Sequence, residues 1–330
     1  MKPLVLTGWM MPDFVKGGFA DMALNLAFFR FIWGPQPSPD QLARYLGPRT
    51  DQQQGAHWSD WGGYWKLSEN RMHQDLSLAE FCQQYETVEL WFDMRPEAQL
   101  KLVWLLDYFS AYPDAVARLR LRAIEQEMIG LQPNALSRWR PHLDSVIEKD
   151  LATASAAWQA YRSPTPEACF ELFHQDLSAL PLLKPVVRDL LEELPSVSTG
   201  LGATEMRLLE MIASGWANVN PLFHFRGIRQ TRVFSETELG YLLEGLAFGP
   251  RPAIAGLDEE LRDRDNLGIR QAAMLRSRLS LTEFGTAIVA HKEDFSRHNP
   301  INRWWGGTHL TNDCLWRWNP MLIPPDAIGS

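Results

Sequence analysis

Between residues 88 and 124 the chain alternates between two hydrophobic periods, and this limits its fold more than any other feature. Val88-Glu89-Leu90-Trp91-Phe92-Asp93 is a short run of strand-forming residues, closed by Pro96. Leu100, Val103, Trp104, Leu106 and Phe109 then recur at helical spacing. Arg118-Leu119-Arg120-Leu121-Arg122-Ala123-Ile124 alternates strictly and reads as a further strand. Upstream, Leu4-Val5-Leu6-Thr7-Gly8 is a first short strand, and Leu24 to Phe31 a second apolar run ended by Gly34-Pro35-Gln36-Pro37-Ser38-Pro39. Helices are expected over Asp40 to Leu46 and Leu76 to Tyr85. Strands alternating with helices imply a mainly parallel sheet with helices on its faces. An α/β domain is therefore expected over about 1–130. Residues 49–75 are polar and carry Trp58, Trp61 and Trp65 around Gly62-Gly63, the pattern of a loop or lid-like excursion.

The pattern becomes helical further on. Leu143, Val146, Ile147, Leu151, Ala154, Trp158 and Tyr161 form one apolar stripe. Thr165-Pro166 starts another helix, and Pro181 to Leu194 is a third, stopped by Pro195. Residues 131–198 read as a helical connector, with Ser196 to Gly202 as a linker. Three helices are then expected, over Thr204 to Ser214, Pro221 to Gln230, and from the capping box Ser235-Glu236-Thr237-Glu238 onward. Two short strands near Pro252 to Ala255 and Leu279 to Leu281 follow, with a helix capped by Thr282. That is the order of a winged-helix-like module, placed over 199–330 together with a Trp-rich C-terminal segment.

The net charge of −8 is spread along the chain and gives neither half a basic arm, so phosphate-driven nucleic-acid binding is not favoured. Cys82, Cys169 and Cys314 lie far apart, form no CxxC pair and are odd in number, which argues against a disulfide framework and a cysteine zinc site. No signal peptide or membrane-spanning run is legible, so a cytoplasmic protein without membrane contact is expected.

Four segments resemble a bacterial family. Phe28-Phe29-Arg30-Phe31-Ile32-Trp33-Gly34-Pro35-Gln36-Pro37 is similar to that family's strand and Gly-Pro turn. Leu90-Trp91-Phe92-Asp93 through Gln99-Leu100 is similar to its strand end and following helix start. Leu191-Glu192-Glu193-Leu194-Pro195 precedes Gly200-Leu201-Gly202 and Thr204-Glu205. Arg303-Trp304-x-Gly306-Gly307 precedes Trp316-Arg317-Trp318. Taken in order over nearly the whole chain, these segments resemble the proteins grouped as domain of unknown function 1835. The resemblance implies an α/β start but no activity, because the family is uncharacterised. It also has departures. The family's polar Asn-Gly-Asp or Gly-Ser-Asp cluster is replaced by Thr7-Gly8-Trp9-Met10-Met11, and its Trp-Phe-Glu-His-Asp by Trp91-Phe92-Asp93-Met94-Arg95. If the family has a chemical site, the resemblance implies a degenerate version here.

Open α/β sheets bind ligands outside the carboxyl ends of their strands. Thr7, Trp91, Asp93 and Arg95 are therefore the candidate ligand pocket, with a loop ion pair or helix cap as the plainer alternative for Asp93 and Arg95. Gly8 with Gly17-Gly18 makes no phosphate-loop pattern. His291, His298, His309 and Asp313 lack the spacing of a metal site, and neither metal nor cofactor is expected. No GxSxG elbow is present, and Cys82 reads as a core thiol. Within the winged-helix-like module the third helix carries Glu238 and Glu244, which would repel phosphate. The candidate nucleic-acid contacts are Arg226, Arg229 and Arg232. The block Arg303, Trp304, Trp305, Gly306, Gly307, Trp316 and Trp318 is expected to pin the C-terminus onto the fold, although exposed tryptophans can also stack a flat ligand.

With no catalytic constellation legible, the expected function is that of a non-enzymatic interaction or regulatory protein. Its module would contact an unknown protein partner or a second copy. The alternatives are a DNA-associated transcriptional regulator, and a small-molecule binder or enzyme working at the sheet edge.

Overall fold

The computed structural model describes residues 3–8, 20, 22–26, 29–50, 55–61, 73, 75–124, 142–224, 233–263 and 265–328. The chain divides into two compact units, Met1–Ser163 with Glu171–Val186, and Pro164–Phe170 with Val187–Ser330.

The first unit is built on a five-stranded sheet. Its strands are β1 (Leu4–Thr7), β2 (Met22–Asn25), β3 (Val88–Asp93), β4 (Leu119–Ile124) and β5 (Leu143–Ser145), in the order β2-β1-β3-β4-β5. The first four run parallel, and β5 is antiparallel to β4. The α/β expectation is met in this unit. Helices α1 (Pro39–Leu46), α2 (Leu78–Cys82), α3 (Pro96–Phe109), α4 (Pro113–Val116) and α5 (Glu148–Tyr161) accompany the sheet. Ser38 and Ser77 cap α1 and α2 through capping boxes with Gln41 and Glu80.

Two expectations shift. The start of the second apolar run, Leu24 with Asn25, falls in the strand Met22–Asn25, whereas at its far end Phe31 and Ile32 give their backbone N–H groups to Glu97 on α3. The stripe beginning at Leu143 is not helical at its start. Leu143 pairs with Arg122 in the sheet, and Ile147 is the N-cap of α5. Periodicity alone could not separate a strand from the helix that follows it at once.

Register assigns the side chains to two faces. One face carries Leu4, Leu6, Met22, Leu24, Val88, Leu90, Phe92, Leu119 and Leu121, all apolar. Helix α3 packs on β3, and α5 packs along α3. Phe31 joins this core, with its ring 5.2 Å from Trp104 and 4.8 Å from Trp158.

The second unit contains the start of α6 and most of α7 by sequence position: α6 is Glu167–Phe173 and α7 is Leu183–Glu192, and the division falls within each. It continues with α8 (Ala203–Ala213), α9 (Val219–His224), α10 (Glu236–Ala247), β6 (Ile254–Ala255), α11 (Leu267–Arg276), β7 (Ser280–Leu281) and α12 (Glu283–Val289). β6 and β7 pair antiparallel, and Leu279 N donates to Ala217 O at 2.7 Å. Two hairpins end the chain, β8 (Asn302–Trp305) with β9 (Thr308–Thr311), and β10 (Arg317–Trp318) with β11 (Leu322–Ile323). The segment 196–202, expected as a linker, is a closed and largely buried turn. Ser196 N donates to Leu201 O, and Phe295 N to Thr199 O. Among the described residues no helix is long and apolar enough to cross a membrane.

Candidate functional site

The second face of the sheet is polar where parallel sheets are usually apolar on both sides. Register places Asn25, Thr7, Trp91 and Arg122 in one cross-strand row. Glu89 and Asp93 flank Trp91 on the same face of β3. Thr7, Glu89, Trp91 and Asp93 are nonetheless buried, and a buried polar group is the informative kind of exception.

These groups form two carboxylate–guanidinium forks. Arg95 Nε donates to both oxygens of Asp93 at 2.9 Å, and the Arg95 backbone N–H to Oδ1 at 3.2 Å. Arg122 reaches Glu89 through Nε at 2.6 Å and Nη2 at 3.0 Å. Trp91 Nε1 also donates to Glu89, at 2.8 Å, and the Arg122 guanidinium lies 4.9 Å from the Trp91 ring centre. The candidate pocket residues are thus neighbours: Thr7 beside Trp91, Asp93 two residues along the same strand, and Arg95 folded back onto Asp93. Among the described residues, Asn25 Oδ1 is a buried acceptor without a hydrogen-bond partner. Two paired forks orient and neutralise charge, and neither supplies a nucleophile aligned with a base.

Sequence reading missed Asn25, Glu89, Glu97, Lys101 and Arg122. A signal existed for Arg122, since the alternation over 118–124 implies a strand with one basic face. Glu97 and Lys101 stand at helical spacing i, i+4, but inside an apolar helix nothing marks them as a buried pair.

Within the second unit the third helix of the expected module, α10, is enclosed. Of its residues only Glu236, Thr237 and Gly245 are exposed. The segment between β6 and β7 lies over it. That segment is a 3-10 turn (Glu259–Arg262) followed by α11, and Leu261 at the turn's end is fully buried. Arg270 fastens it, donating to Leu261 O and pairing with Glu244 at 3.5 Å while lying over the Tyr241 ring. Glu238 receives the Ser235 N–H in the capping box. Both carboxylates expected to face phosphate are therefore buried and engaged within the unit. Arg226, Arg229 and Arg232 lie outside the described residues, as do Trp65, Trp9, Met10 and Gly17-Gly18.

The C-terminal block folds onto α7 and the turn after it. Trp305 is buried and donates through Nε1 to Leu190 O at 2.6 Å. Arg303 Nη1 donates to Glu205 at 2.7 Å. Trp318 N donates to Pro195 O, and Arg317 Nη1 to Ser196 O at 2.9 Å. Trp316 is buried. Gly306 has a φ of +55°, and Gly307 completes the tight turn joining β8 to β9. Trp304 points outward and stacks on His309 at 4.6 Å. Thr204 donates to the buried carboxylate of Glu193 through both N and Oγ1. Burial pushes the Glu193 pKa up to about 7. Glu193, Thr204, Glu205 and Arg303 thus come together from three separate sequence segments.

Cys82 and Cys169 are buried, and desolvation raises both thiols, Cys169 to about 12. Trp58 is buried with its Nε1 donating to Leu76 O. His298 meets Glu293, and His309 meets Asn302. Among the described residues no three acidic, His or Cys groups gather as a metal set. No protein-family model matches the chain, and no curated protein matches it.

Proposed function

We propose that this chain is a non-enzymatic interaction or regulatory protein, related to the domain of unknown function 1835 proteins, whose second unit is a winged-helix-like module used for protein contacts. The order α8, α9, α10, β6, α11, β7, α12, with β6 and β7 antiparallel and α11 inserted between them, supports the winged-helix-like reading. So does the bond from Leu279 to Ala217, which ties the β7 side of the hairpin to the segment between the first two helices.

One observation carries the choice of protein over DNA. A winged helix reads DNA by laying its third helix in the major groove, and here that helix has its own insert packed upon it and no basic side chain. The exposed apolar groups lie elsewhere on the unit. Leu275 on α11 is 59% exposed, and Trp216 follows α8. Trp216 directly precedes Ala217, and Leu275 precedes Leu279 on the chain.

Fluorescence anisotropy of labelled duplex DNA, titrated with the full chain from low to physiological salt, tests this. No saturable binding is expected. Salt-sensitive binding that weakens when Arg226, Arg229 and Arg232 are changed to Ala would replace the reading with a DNA-associated one.

A further inference from the structure

Helix α3 is buried along most of its length, and its second turn holds Lys101 with a side chain only 2% exposed. Helical side chains lean toward their N-terminus, so Lys101 reaches back over the first turn. Its Nζ lies 3.3 Å from Glu97 Oε1. Its stem lies against Gly8, where an added Cβ would stand 3.3 Å from Lys101 Cδ and 3.2 Å from the Phe92 ring. Glu97 is itself fixed by the N–H groups of Phe31 and Ile32, at 3.1 to 3.2 Å. Arg30 Nη1 is 3.7 Å from the same carboxylate, with its side chain 38% exposed.

An ammonium has three donors. Among the described residues Glu97 is the acceptor Lys101 has, and Glu97 also serves two backbone N–H groups. Burial lowers the lysine pKa against the opposing pull of Glu97. An apolar side chain of similar length would fill the same space without that desolvation. A buried charge with so thin a shell calls for an explanation beyond packing. Its position supplies one. The strand order reverses between β1 and β3, and that switch point is where open α/β sheets receive ligands.

We propose that Lys101 forms the floor of a site for a small oxyanion, the carboxylate or phosphate group of a small molecule, received beside Gly8 at the carboxyl ends of β1 and β3. Glu97 is a positioning residue that holds the ammonium toward the strand ends. Arg30 lies nearer solvent and adds positive charge at the rim. Gly8 lets the β1 end lie close to Lys101, because any side chain there would press on Lys101 and Phe92. This site goes beyond the interaction reading and does not depend on the second unit.

The test uses the full chain with inorganic phosphate and, separately, sodium acetate, at ionic strength held constant with chloride. The Lys101 ¹³Cε resonance and the melting temperature are followed. One of the two anions is expected to move the Lys101 resonance saturably and to raise the melting temperature, and which one does so separates phosphate from carboxylate. Lys101→Met should lose the anion-dependent rise, while Lys149→Met, at an exposed position, should keep it. An unmoved Lys101 resonance with both anions overturns the proposal, as does an equal rise in wild type and Lys101→Met. Should Lys101→Met fail to fold, the wild-type resonance decides alone.

Discussion

Replacing Glu193 by Gln should make the protein more stable at pH 8 and remove a pH dependence that the wild type carries. The carboxylate is buried among Thr204, Glu205 and Arg303, and its pKa rises from 4.5 to about 7, chiefly through burial. The folded state therefore holds this proton where the unfolded chain has released it. Below about pH 4.5 both states are protonated and nothing is lost. From there through about pH 7 the folded state binds more protons, so stability falls as pH rises. At 1.36 kcal/mol per unit, the rise corresponds to about 3 kcal/mol lost across that window. Gln carries no proton to lose. Its amide oxygen can accept from Thr204 N and its NH₂ can donate to Thr204 Oγ1, so the substitution itself should cost no more than about 1 kcal/mol. Urea unfolding at pH 5, 6, 7 and 8, followed by tryptophan fluorescence, gives the difference between wild type and variant at each pH. That difference should move in favour of Glu193→Gln by about 3 kcal/mol from pH 5 to pH 8. Parallel profiles for the two proteins would refute the reasoning, because they would mean that Glu193 titrates alike in both states.

Two further outcomes are expected. Gly256 has a φ of +84°, and a Cβ there would lie 1.9 Å from the Arg278 carbonyl oxygen, so Gly256→Ala should destabilise the chain by more than about 1 kcal/mol in urea unfolding, whereas Gly245→Ala, with open space around it, should not. Of the three thiols, Cys314 alone is exposed, so a thiol-specific reagent should label one cysteine of the native protein quickly and the other two only on unfolding; rapid labelling of all three would contradict the burial of Cys82 and Cys169.

The first unit was legible because its strands and helices announce themselves by different periods. Val88–Asp93, Pro96–Phe109 and Leu119–Ile124 follow one another with clear breaks, and a parallel crossover accommodates that order. The capping box at Ser235, in the second unit, is equally local. What could not be read depends on partners distant in sequence. The enclosure of α10 rests on Arg270 meeting Glu244 and on Leu261 being buried, neither of which the charge of α10 reveals. Glu238 and Glu244 look like solvent-facing carboxylates until their partners are in place. The two forks around Trp91 require the register of β3 with β4. Asp93 with Arg95 was visible as a nearby pair at a strand end, but Lys101 was hidden, because a single lysine in an apolar helix most often extends to solvent. The C-terminal block shows the intermediate case. Its tryptophans signalled a pinned segment, while Leu190, Pro195 and Ser196 as the residues that receive it became known only from the fold.

The most direct test of the interaction reading is native mass spectrometry of the full chain purified gently from its source cells, with wild type and Leu275→Glu compared. A homo-oligomer or a stoichiometric protein complex is expected for the wild type, reduced in the variant because a carboxylate on α11 cannot be desolvated without cost. A bare monomer in both, or a wild type that carries nucleic acid, would contradict the proposal that the second unit exists to contact protein.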